Sequence, residues 1–147
     1  MSLSVDKKEQ DDRVIFTLDG ELDVASSPML REELSRAIEG GCRRIVIDMS
    51  SVSYMDSSGL SALVVAHKAL GSRGSLALVG SRPTIERVLR FTQFDKVLDL
   101  YRSFEDLEAG NRDNLRAVSG VSKSVLQKQK QITRPTSRRQ NDGRRLQ

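Results

Sequence analysis

Apolar and polar positions change period repeatedly along the first 110 residues. Leu3–Asp6 reads as a short edge strand. In R-V-I-F-T-L-D-G, Val14, Phe16 and Leu18 alternate with Ile15, Thr17 and Asp19, and the β-branched and aromatic content predicts a strand closed by Gly20. Leu22 and Val24 in G-E-L-D-V continue the alternation as a second short piece. Ser27-Pro28 then predicts a helix start, with Ser27 as N-cap and Pro28 as the first helical residue. Leu30, Leu34, Ala37 and Ile38 share one helical face, and Glu39-Gly40-Gly41 stops it. R-R-I-V-I-D-M is apolar on both faces, the pattern of a central strand. A strand-like run, V-S-Y-M, ends at Met55.

A second helix follows, with Leu60, Leu63, Val64, His67 and Leu70 at helical spacing until G-S-R-G breaks it. S-L-A-L-V-G predicts another buried strand. R-P-T-I-E-R-V-L-R-F-T predicts a third helix with Ile85, Val88 and Leu89 on one face. K-V-L-D-L-Y predicts a last strand, and S-F-E-D-L-E-A a short helix capped by Ser103. The order β-β-α-β-α-β-α-β-α implies an α/β fold: a mixed sheet of four to five strands with helices packed on it. The first two strands form an antiparallel pair, and the later ones join through helical crossovers.

The periodicity stops near Gly110, and the charge changes with it. Residues 111–147 hold 10 Lys and Arg against 2 Asp. Residues 1–110 hold 14 basic against 18 acidic side chains. An acidic domain over 1–110 is therefore followed by a basic tail over 111–147. The tail's polar stretches, such as Q-K-Q-K-Q, bury too little apolar surface to offset the cost of ordering, so it is expected to be disordered. Its charge makes salt-dependent, sequence-blind nucleic-acid binding conceivable for the tail alone. With four Phe, two Tyr and no Trp, the chain as a whole is poor in the aromatic groups on which bases stack. One Cys and one His do not make a zinc site, and a lone Cys42 forms no intrachain disulfide. No run reaches the roughly 18 apolar residues of a membrane helix, and the first ten residues lack a signal-peptide core. The expectation is a cytoplasmic protein without cofactor or metal.

The chemistry concentrates in Y-M-D-S-S-G-L, Tyr54–Leu60. Asp56-Ser57-Ser58-Gly59 falls where a strand turns into a helix, and Asp56 or Ser57 can cap the free amides there. Ser57 lacks a base for hydrolase chemistry. His67, the only histidine, lies ten residues on, roughly 15 Å along the helix axis. It reads as an ordinary helix residue. No Gly-x-Ser-x-Gly elbow, P-loop or dinucleotide fingerprint is present. A plain cap and an exposed phosphoryl acceptor both remain open on these residues.

L-D-G-E-L-D (18–23), I-V-I-D-M-S-S-V-S-Y-M-D-S-S-G-L (45–60) and G-S-L-A-L-V (74–79) together resemble the STAS domain. More narrowly, they resemble the bacterial anti-sigma factor antagonists, over about residues 1–109. The resemblance implies a binding protein and not an enzyme. Its unmodified form would hold an anti-sigma factor that is also a serine kinase, freeing a sigma factor for transcription. Phosphorylation would fall on Ser57, with Ser58 as the alternative, and would end the binding until a serine phosphatase resets it. Asp23, Asp56, Ser58, Gly59 and Leu60 would contact the partner. No direct contact with the sigma factor or a membrane is implied. The competing reading is a STAS scaffold that binds another protein or a small ligand without a kinase switch.

If residues 1–110 fold alone, a chain ending at Gly110 should unfold cooperatively and melt within a few degrees of the full chain. One kcal/mol moves the midpoint by about 4–8 °C in a domain of this size. Loss of the cooperative transition in calorimetry would show that the basic segment belongs to the folded unit.

Overall fold

The computed structural model describes residues 2–111. The segment expected to be disordered lies outside the described residues, apart from Asn111. Five strands form one sheet in chain order: β1 (Leu3–Gln10), β2 (Arg13–Leu22), β3 (Arg44–Met55), β4 (Ser75–Val79) and β5 (Asp99–Tyr101). β1 pairs antiparallel with β2, and the other neighbours are parallel. The helices are α1 (Ser27–Glu39), α2 (Ser57–Leu70), α3 (Pro83–Phe91) and α4 (Phe104–Ala109). The alternation of strand and helix is the one the hydrophobic pattern predicts.

Register explains the core. Phe16, Ile47, Leu78 and Leu100 are partners across four strands, and all are buried. Leu30 and Leu34 of α1 and Leu63 of α2 are fully buried as well; the two helices pack on each other, and α2 packs on β3 and β4. Each large aliphatic side chain so removed from water contributes about 1.5–3 kcal/mol. The residues just before or after these along each strand point to the other face. There Ile15, Val46 and Val79 form a second, smaller cluster covered by Tyr101, Phe104 and Leu107. α4 is therefore the lid of that face. Ser103 caps it, accepting the Asp106 amide at 3.1 Å. Arg13, buried at the start of β2, anchors it from below through an ion pair with Glu108.

Several boundaries differ from the pattern. β1 continues to Gln10, because antiparallel pairing with β2 carries the polar residues Asp6 to Gln10 along its exposed length. Leu22 closes β2, but Val24 is 72% exposed and not a strand residue. The N-cap position of α1 is Ser26, one residue before the expected Ser27, which is buried in the first turn. R-I-V-I-D-M and V-S-Y-M are one strand of 12 residues. β5 keeps only Asp99–Tyr101, since Phe94–Lys96 closes into a 3-10 turn.

Gly20 sits at φ +128°, and a Cβ there would lie 2.1 Å from the Ser2 carbonyl oxygen. It marks a shift of register between β2 and β3. Gly20→Ala combines backbone strain with a backbone clash. It should cost at least about 1–3 kcal/mol in denaturant unfolding. An unchanged midpoint would mean that the β1–β2 pairing yields freely at this point.

Candidate partner-binding site

β3 ends at Met55, and the chain enters α2 through Asp56 in an extended conformation. The Asp56 amide continues the parallel ladder by donating to the Leu22 carbonyl at 3.2 Å. Its carboxylate turns the other way. Oδ1 accepts the amides of Ser58 at 2.9 Å and Gly59 at 3.4 Å. Asp56 is thus the cap that the sequence left open between Asp56 and Ser57, and it places negative charge at the positive end of the helix. Ser57 is the first residue of α2. It is exposed, and among the described residues its hydroxyl makes no hydrogen bond. Ser58 is half-buried, and Gly59 and Leu60 are buried.

Gly59 is present because α2 meets the end of β2 there. A Cβ at this position would lie 2.4 Å from Leu22 Cγ and 2.8 Å from the Leu22 carbonyl oxygen. That contact brings in the next loop. Immediately after Leu22, Asp23 folds the chain back on itself. Its Oδ1 accepts the amides of Ala25 and Ser26, both at 3.0 Å. Ser26 Oγ accepts the Asp23 amide at 2.9 Å and donates to the Glu21 carbonyl at 2.7 Å. The Ser26 amide, above all, holds the Asp23 carboxyl below its ordinary value, with the Ser26 hydroxyl and the Ala25 amide adding to it. The carboxylate's share in holding the loop is therefore fully present above the ordinary carboxylate range and fades as pH falls through the lowered value, while the Ser26 hydroxyl bonds to the Asp23 amide and the Glu21 carbonyl remain.

Leu22 ties the Asp23 loop to the start of α2 through its contacts with Asp56 and Gly59, and Ser57 and Ser58 stand at that junction while Gly59 and Leu60 are buried beneath it. These residues divide into two kinds. Asp23, Asp56 and Gly59 build the surface, whereas Ser57 is displayed on it. Two apolar side chains flank it that the sequence reading did not single out: Val24, and Tyr54 at 50% exposure. Val24 looked like a strand residue, and only its failure to find a partner strand makes it a surface feature. Arg31 of α1 was also missed. Its Nη2 donates to Ser61 Oγ of α2 at 3.2 Å. No spacing within either helix announces a contact 30 residues apart. His67 lies in the last turn of α2, remote from Ser57. Among the described residues no group of three or more His, Cys, Asp or Glu could hold a metal ion, and no helix is long and apolar enough to cross a membrane.

The family model for the STAS domain matches residues 4–107. The anti-sigma-B factor antagonist of Listeria monocytogenes is 32% identical over 115 residues, which cover 76% of this chain and 99% of the relative. That of Bacillus subtilis is 34% identical over 101 residues, covering 68% of this chain and 92% of the relative. Among solved structures, an anti-sigma factor antagonist from Mycobacterium paratuberculosis superposes with a TM-score of 0.70 at 26% identity, covering 76% of this chain and 96% of its own.

The division between building and displayed residues is open to test by thermal unfolding. Asp56→Ala should cost about 1 kcal/mol, the usual value of a lost N-cap. Gly59→Ala should cost about 1–3 kcal/mol through overpacking against Leu22. Ser57→Ala should stay within about 0.5 kcal/mol of the parent, as surface changes do. A Ser57→Ala loss as large as that of Asp56→Ala would return the capping role to Ser57.

Proposed function

Since the chain belongs to the STAS domain family, and within it to the bacterial anti-sigma factor antagonists, we propose that it is a phosphorylation-switched binding protein. Unmodified, it holds an anti-sigma factor that is also a serine kinase, and a sigma factor is released. Phosphorylated on Ser57, it lets the anti-sigma factor go. The observation that carries this reading is the exposed hydroxyl of Ser57. It stands at a helix start whose capping is already done by its neighbour. A residue in that position can be modified without dismantling the fold.

The chemistry asked of the kinase is simple. Ser57 Oγ bonds to the γ-phosphorus of ATP as the β–γ bridging P–O bond breaks. ADP leaves, and the hydroxyl proton passes to a base on the kinase. A serine phosphatase reverses the state by hydrolysis, giving the free hydroxyl and inorganic phosphate. The antagonist itself supplies no catalytic group; it is substrate and ligand.

The energetics are modest. Phosphate adds about −1.5 to −2 charges beside Asp56. The helix start tolerates that charge while the chain is free in water. Against a partner, the same charge must be stripped of water or matched. A 100-fold loss of affinity needs only about 2.7 kcal/mol. Val24 and Tyr54 would supply apolar contact at the rim. Asp23, Asp56, Ser58, Gly59 and Leu60 would shape the surface the partner reads.

Calorimetry against the anti-sigma factor, a protein with a histidine-kinase-like ATP-binding domain, tests the switch. Ser57→Ala should keep the parent affinity. Ser57→Asp should lose part of it while matching or exceeding the parent's thermal stability, because a carboxylate in the first turn favours the helix. Mass spectrometry after reaction with kinase and ATP should place the phosphate on Ser57. Equal affinities for the two variants, or phosphate on Ser58 alone, would overturn the assignment.

A further inference from the structure

We propose that Arg31 of α1 is the built-in counter-charge for a phosphate on Ser57, so that modification closes an intramolecular clamp between α1 and α2. The proposal rests on Ser57 being the acceptor. Its basis is the contact between Arg31 Nη2 and Ser61 Oγ at 3.2 Å. Ser61 is one helical turn beyond Ser57, and residues four apart on a helix have their Cβ atoms about 5–6 Å from each other. The guanidinium already reaches the stripe of α2 that carries the acceptor. A phosphoserine at 57 would carry its oxygens outward beyond the hydroxyl, into reach of the same group.

Arg31 is also available. It is exposed, and among the described residues no carboxylate pairs with it. Its two acidic neighbours on α1, Glu32 and Glu33, both turn to Arg36, at 3.0 and 3.3 Å. Of its five N–H donors, the contact with Ser61 uses one. The planar fork suits two phosphate oxygens at once.

The other charged groups near position 57 oppose the phosphate. Asp56 adjoins it on the same segment, and Asp23 lies on the loop joined to Asp56 through Leu22. Both favour the singly charged phosphate. Arg31 favours the doubly charged one. The phosphate's second ionisation therefore reports which influence Arg31 exerts.

The test is a full-length chain carrying phosphoserine at 57, installed during translation so that no kinase is needed. Its phosphorus resonance is followed with pH by NMR. A free phosphoserine titrates near about 6. Arg31→Gln keeps a donor for Ser61 but removes the charge. It should raise the titration midpoint by about 0.5 unit over the parent. Arg31→Lys should recover most of the difference, and about 1 M salt should shrink it. A role for Arg31 confined to holding the two helices together would leave the midpoint in place. Agreement of parent and Arg31→Gln within about 0.1 unit overturns the clamp. Failure of the kinase to modify Ser57 would instead overturn the acceptor assignment, and the titration is independent of that outcome.

Discussion

The carbonyl of Leu22 accepts the amide of Asp56, and the side chain of the same leucine fills the space beside Gly59. Everything at the presented surface depends on that junction. It is the last rung of the parallel ladder between β2 and β3 and also the seat of the first turn of α2. Because both connections leave the sheet at this point, the Asp23 loop and the Asp56 cap emerge side by side. Two loops far apart in sequence are thereby held by backbone and by a buried aliphatic group. Neither the hydrogen bond nor the contact asks anything of Ser57.

That separation leaves the first residue of α2 open to a change of charge that the fold itself does not feel. Asp56 holds the helix start and Asp23 ties its own loop, each with one carboxylate oxygen on two backbone amides. Two carboxylates, both half-buried, therefore stand at this junction before any modification, with the exposed side chains of Val24 and Tyr54 beside them in sequence. A further anion at Ser57 would meet both carboxylates at close range. Arg31 is the cation that α1 brings to α2, through its contact with Ser61.

Much of this was legible in the chain. The period of two in Val14, Phe16 and Leu18 and the helical spacing of Leu30, Leu34 and Ala37 gave strand and helix their places, because burial imposes those periods. Asp56-Ser57-Ser58-Gly59 was legible as a helix start for the same local reason. What escaped notice was set by tertiary contact. Which of Asp56 and Ser57 caps the helix follows from the extended backbone of Asp56, and that follows from its pairing with Leu22. The length of β1 follows from β2, not from the polar residues Asp6 to Gln10. Val24 alternates as a strand residue would, but Asp23 has already bent the chain. Arg31 touches Ser61 only because a sheet brings two crossover helices together.

β1 is an outer strand, and from Asp6 to Glu9 it carries Asp-Lys-Lys-Glu, all exposed. An incoming strand from another molecule would have to lay its side chains against four consecutive charges of mixed sign. Open sheet edges invite such pairing, and charges, lysine above all, discourage it. The charged margin of β1 makes the outer edge of the sheet a poor template for a strand from a second copy, so the one open edge at this side of the fold is guarded by side-chain charge and not by a covering element.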